Sequence, residues 1–238
     1  MRFLIDMKRL AEFTAVIMSA CMLISGCGKS AKAPVKTEEP TAEQKTSKPA
    51  ENDLTGLTEN AVEVDIKLTN GEDIELELYP DIAPKTVANF VKNVQEGYYS
   101  GTIFHRVIDG FMIQGGGYDE EYNLKPVSET VEGEFGENGF DNPLSHTRGV
   151  ISMARAKDMN SATTQFFIVQ EDSTYLDGQY AAFGRVVDGM DVVDEIATAK
   201  KASEPPAPGM TDATETPYVI DSITIDTADD DNYDKEND

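Results

Sequence analysis

The stretch AVEVDIKLTNGEDIELELY, residues 61–79, decides the fold class. Apolar and polar side chains alternate along 61–68, the period of a strand with one face buried. Asn70-Gly71 follows, a dipeptide of tight turns, and 74–79 alternates again. The folded part therefore opens with an antiparallel hairpin.

The period changes in APKTVANFVKNVQEGYY, residues 83–99, where Val87, Phe90, Val91 and Val94 fall at i, i+3, i+4 and i+7. Pro84 near the start and Gly97 past the end are conventional helix boundaries, so this is an amphipathic helix. Short strands are predicted at 103–107, 112–114, 150–154, 165–169 and 182–187, with a last one in YVIDSITID, 218–226. GMDVVDEIATA, 189–199, reads as a second helix with Val192, Val193 and Ile196 on one side. Residues 200–217 form a Pro-rich connector. Many short strands with two helices point to a closed antiparallel barrel capped by helices, an arrangement without a long open edge.

The 238 residues suffice for one domain with extensions. A formal net charge of -24 argues against nucleic acid, whose phosphates require clustered Lys and Arg, and against electrostatic docking on anionic lipid. Both cysteines, Cys21 and Cys27, lie near the N-terminus, so the folded part has neither a disulfide nor a thiolate metal site. With only His105 and His146, no histidine-rich metal site is expected, and no cofactor motif is present. GGGY at 115–118 lacks the Lys and the helix of a phosphate-cradling loop.

Arg2, Lys8 and Arg9 precede an apolar run at 13–24 of signal-peptide length. It ends in LISGC, which resembles the lipobox of bacterial lipoproteins. That resemblance implies cleavage of residues 1–26 and diacylation of Cys27, which would hold the chain on the extracytoplasmic face of a membrane. Residues 27–59, rich in Lys, Glu, Thr, Pro and Ala, read as a disordered, lipid-anchored linker. Residues 60–226 read as the folded domain, and 227–238 as an acidic tail.

FHRVIDGFMIQGGG, residues 104–117, raises the question of chemistry. It offers Arg106 and Gln114 among large apolar side chains, with no serine, cysteine or lysine to attack a substrate. Asp109-Gly110 is a turn signal that folds 111–114 back beside 104–107. His105 adjoins Arg106, so in a strand it faces the opposite way, toward packing rather than chemistry. His146 sits in a loop signal and reads as structural.

Together with ISMARA (151–156), TTQFFI (163–168) and LDGQYAAFGRV (176–186), this stretch resembles the signatures of the cyclophilin peptidyl-prolyl cis-trans isomerases. The similarity runs from about Val62 to Ile225. It implies a mainly β fold, a closed eight-stranded antiparallel barrel with two capping helices. It also implies that Arg106 is the catalytic group. Phe111, Met112 and Phe167 would form the proline pocket, with Leu176 at its wall. Gln114, Gln165 and the backbone of Ala154 and Arg155 would hold the peptide. Tyr180 stands where the family often has histidine, and Tyr175 where many members have tryptophan. Expected partners are proline-containing polypeptides, with assistance to folding of secreted or envelope proteins by a monomer. The alternative is a non-catalytic proline-peptide-binding module or holdase using the same pocket.

Overall fold

In the computed structural model, residues 54–127 and 129–226 are described. The opening hairpin is β1 (Val62–Leu68) and β2 (Asp73–Leu78), antiparallel with Val64 opposite Leu76 and Ile66 opposite Ile74. The turn forms where Asn70-Gly71 predicts it, with the Asn70 Oδ1 accepting from the Glu72 N–H at 3.1 Å. Leu54 and Leu57, within the stretch read as linker, pack against apolar residues of the folded body.

Helix α1 (Pro84–Gln95) buries Val87, Phe90, Val91 and Val94, the four residues of the predicted stripe. Its first turn lacks a local cap. Instead the buried Glu134 carboxylate, from a segment about 50 residues away in sequence, accepts from the Lys85 N–H (3.0 Å), the Thr86 N–H (2.8 Å) and the Thr86 hydroxyl (2.7 Å). A negative group at a helix N-terminus satisfies amides that have no intrahelical partner and complements the helix dipole.

The remaining elements are β3 (Thr102–Ile103), β4 (Arg106–Ile108), β5 (Met112–Gly115), β6 (Val150–Met153), β7 (Phe166–Val169), β8 (Ala182–Asp188), α2 (Met190–Thr198) and β9 (Val219–Ile225). All nine strands join one antiparallel sheet in the order β3-β9-β1-β2-β8-β6-β7-β5-β4. The first and last members of that order are consecutive in the chain, separated by Phe104 and His105 alone. The sheet must therefore curl until its two edges meet. No ladder joins β3 to β4, so the chain itself completes the ring.

This corrects the expected eight strands to nine. The predicted strand at 103–107 is two strands on two different ladders. Thr102 and Ile103 pair with β9, and Arg106 to Ile108 pair with β5. Between them the Phe104 N–H still donates to the Tyr218 carbonyl at 3.0 Å, while the Val107 N–H donates to Asp212 on the connector. Alternation of side chains cannot report a change of partner.

The barrel interior is filled by Val64, Ile66, Leu76, Val107, Ile113, Ile151 and Ile168 around a ring cluster. Phe90 of α1 lies 5.0, 5.6 and 5.5 Å from the ring centres of Tyr99, Phe166 and Phe183. A second apolar cluster, outside the barrel wall, contains Met112, Phe167, Val169, Leu176 and Tyr79. β7 is thus buried on both faces, as its unbroken apolar run FFIV requires.

Replacing Glu134 by Ala leaves buried amides of α1 without acceptors, a cost of about 1–3 kcal/mol. Urea unfolding should show this loss, with Glu134→Gln, which keeps one acceptor oxygen, falling between Ala and the parent.

Candidate active site

Register builds the site. On β4, β5, β7 and β6 the residues directly opposite one another are Arg106, Gln114, Phe167 and Ser152, one continuous row across four strands. Residues opposite in a ladder share a face, and residues two apart on a strand do too. Ile108, Met112 and Val169 form the next row on that same outer face. The sheet therefore presents a cation and an amide beside an apolar floor.

Loops complete the surface. The Phe111 ring lies 5.9 Å from that of Tyr175, whose side chain is mostly exposed. Leu176, in a short 3₁₀ turn at Thr174–Leu176, is buried in the outer cluster. The Tyr180 ring meets Phe167 edge-on at 5.7 Å. Gln114 Nε2 donates to Gln165 Oε1 at 3.0 Å, and the Gln165 carbonyl accepts the Ala154 N–H at 2.9 Å. All these residues form one contiguous surface. Arg155 touches it through Tyr180, its guanidinium carbon 4.9 Å from that ring centre and 5.0 Å from Phe135. Its Nε and Nη1 donate to the carbonyls of Gln179 and Ala156, so much of the group is turned toward the protein. Cys27 lies outside the described residues.

The glycines of 115–117 serve packing. A Cβ on Gly117 would sit 2.5 Å from the Gln165 side chain, and Gly116, at φ +79, would meet the Phe166 ring at 2.9 Å. The close approach that Gly117 permits lets Gln165 lie within hydrogen-bond distance of Gln114.

The turn that carries Phe111 is held by Gln170, a buried residue that sequence reading missed. Its Oε1 accepts the Gly110 N–H at 2.6 Å, and its own N–H donates to the Phe111 carbonyl at 2.8 Å. Behind Phe167 lies His146, in the structural role that its loop suggested, with partners that the sequence did not name. The His146 ring stacks on Phe167 at 6.0 Å, Nδ1 is 2.8 Å from Asp177 Oδ1, and Nε2 is 2.9 Å from Ser152 Oγ. A carboxylate only accepts, so Nδ1 carries the proton and Nε2 accepts from the Ser152 hydroxyl. The order Asp, His, Ser is that of a hydrolase triad, but Ser152 is fully buried and no substrate carbonyl can reach it. The chain of bonds braces the floor.

Comparison with known proteins gives the family. The family model described as "Cyclophilin type peptidyl-prolyl cis-trans isomerase/CLD" matches residues 63–224. The chain belongs to the cyclophilin family. It is 42% identical over 168 residues to peptidyl-prolyl cis-trans isomerase B of Escherichia coli (strain K12), covering 66% of this chain and 96% of that one. It is 48% identical over 134 residues to peptidyl-prolyl cis-trans isomerase A of Dickeya dadantii (strain 3937), covering 54% and 68%. Among solved structures, a cyclophilin-type isomerase of Cryptosporidium parvum superposes with a TM-score of 0.59 at 28% identity, covering 69% of this chain and 97% of that one. A second structure of the same protein, solved in the presence of the dipeptide Ala-Pro, gives 0.58 at 28% identity, covering 68% and 98%. The curled antiparallel sheet and two helices of this cyclophilin are cyclophilin-like.

Burial dominates the histidines of this cyclophilin. It pushes the His105 imidazole down from 6.5 to about 4, against upward pulls from the Ile103 backbone and Gln165, with the Arg106 charge adding to the fall. Burial also lowers His146, opposed by Asp177. The unfolded imidazole binds protons first as pH falls, so stability rises with pH between the two His105 values and is lost on acidification from 6.5 toward 4. Urea unfolding should lose up to about 1.4 kcal/mol per pH unit through His105 in that window. His105→Gln should flatten the slope by the share of one proton, and an unchanged slope would refute the assignment.

Proposed function

We propose that this cyclophilin accelerates cis-trans rotation of X-Pro bonds, with Arg106 as the catalytic group. The observation that carries the reading is the in-register row that sets Arg106 and Gln114 beside Met112 and Phe167 on the outer face of the sheet.

Rotation of a peptide bond meets a barrier of roughly 18–20 kcal/mol from its partial double-bond character. Left alone, an X-Pro bond takes tens to hundreds of seconds. A turnover on the order of 10² per second requires lowering that barrier by roughly 5–6 kcal/mol. No covalent bond breaks, so a nucleophile has no work to do. Midway through rotation the prolyl nitrogen becomes pyramidal and its lone pair localises. It then accepts a hydrogen bond that the planar amide could not. A guanidinium directed at that nitrogen stabilises the twisted state alone, which is the condition for catalysis.

Phe111, Met112, Phe167 and Leu176 receive the proline ring, and Tyr175 and Tyr180 flank it. Gln114, Gln165 and the backbone at Ala154 and Arg155 hold the peptide while the preceding carbonyl swings. The likeness to a structure solved in the presence of Ala-Pro supports this class of ligand. The lipobox-like LISGC supports diacylation at Cys27, a membrane-anchored location on the extracytoplasmic side, and clients among secreted or envelope proteins.

Exchange NMR on a short X-Pro peptide tests the catalytic reading. The purified protein should raise the exchange rate, and Arg106→Ala should lower the enhancement at least about tenfold without unfolding the chain. No enhancement by the parent would leave only a binding module. For the anchor, the intact mass of protein purified from membranes should equal residues 27–238 plus acyl groups. An unacylated Cys27, or retention of residues 1–26, would reject it.

A further inference from the structure

The Pro-rich connector 200–217 enters no part of the proposed mechanism, yet it touches Arg106. Asp212 Oδ2 lies 3.4 Å from Arg106 Nε. On the same residue, the Asp212 carbonyl accepts the Val107 N–H at 3.0 Å. One residue of the connector thus grips β4 twice, once through backbone and once through the side chain of the cation.

The connector is itself fixed on both sides of this contact. Ala213 and Thr214 are buried, the Ala202 N–H donates to the Ala213 carbonyl at 3.0 Å, and Lys201 bridges to Thr214. The Thr214 hydroxyl donates to the Thr216 carbonyl at 2.8 Å. Asp212 therefore approaches Arg106 from a firm base.

The bond is selective within the guanidinium. Nε is engaged, while neither Nη makes a hydrogen bond to protein among the described residues. The pair is 43% and 38% exposed, and ion pairs that open to solvent add little to stability. Its consequence is directional. An arginine held only at its stem samples several rotamers, whereas a second point of attachment at Nε fixes the plane of the group. Asp212 is the only ion-pair partner of Arg106 among the described residues.

We propose that Asp212 is a positioning residue: it holds Arg106 by Nε so that both Nη groups face the twisting prolyl nitrogen. The inference rests on Arg106 as the catalytic cation. A group that orients the cation acts on the twisted state, so its loss lowers kcat and leaves KM in place.

The test measures kcat and KM for an X-Pro peptide with the full chain. Asp212→Ala should lower kcat by about tenfold with KM unchanged, and Asp212→Asn, which keeps an acceptor oxygen, should stay within about threefold of the parent. In an Arg106→Ala background, adding Asp212→Ala should change nothing further. The Val107 bond is to backbone and survives both changes. Parent-like kcat in Asp212→Ala, equal losses in the Ala and Asn variants, or the same loss without Arg106 would each overturn the proposal. Full activity of Arg106→Ala alone would instead sink the catalytic reading of Arg106. Should Asp212→Ala not fold, the Arg106 Nε–H resonance decides. A slowed, distinct signal in the parent that persists in Asp212→Asn supports the contact, and an averaged signal in the parent overturns it.

Discussion

Two-residue alternation on four paired strands carries the molecule. On β4, β5, β7 and β6 one set of side chains, Val107, Ile113, Ile168 and Ile151, fills the barrel, and the intervening set, Arg106, Gln114, Phe167 and Ser152, faces out. A slip of one residue in any of these ladders would drive the guanidinium into the interior and turn isoleucines to water. Both errors are costly, one through an unpaired buried charge and the other through exposed apolar area. The same register therefore stabilises the fold and assembles the site. The proposed chemistry sits on the outer surface of a packing solution.

That surface is rigid for reasons lying one layer below it. Phe167 rests on His146, which is bonded to Ser152 and Asp177. Phe111 rides a turn tied down by Gln170. Gln114 is aligned by Gln165, which the glycine at 117 allows to lie close. A group that must discriminate a twisted amide from a planar one gains most from such immobility, because reorganisation at the moment of rotation would consume the advantage.

Elements defined by their own periodicity were legible in the sequence. Residues 61–79 gave a hairpin and Val87, Phe90, Val91 and Val94 a helix stripe because burial of one face leaves a local pattern. The grouping of Arg106, Phe111, Met112, Gln114 and Phe167 was legible through the resemblance of their motifs. Contacts that depend on distant partners were not. Glu134 reads as one more acid in a charged loop, yet it caps α1. Asp212 reads as connector, yet it meets Arg106. Phe104 and His105 continue an apolar pattern while the chain changes ladders, since alternation records which face is buried and says nothing of which strand covers it.

The pairing of β1 with β9 has a consequence for how the chain is made. Val64 sits opposite Ile225 and Ile66 opposite Ile223, so the first strand of the domain waits for the last. On a ribosome the opening hairpin of the domain emerges early and must persist with one side unzipped until nearly the whole domain has appeared. Glu63, Asp65 and Lys67 stand along that waiting border. Charged side chains there discourage the nascent strand from zipping to a neighbouring copy before its own partner arrives.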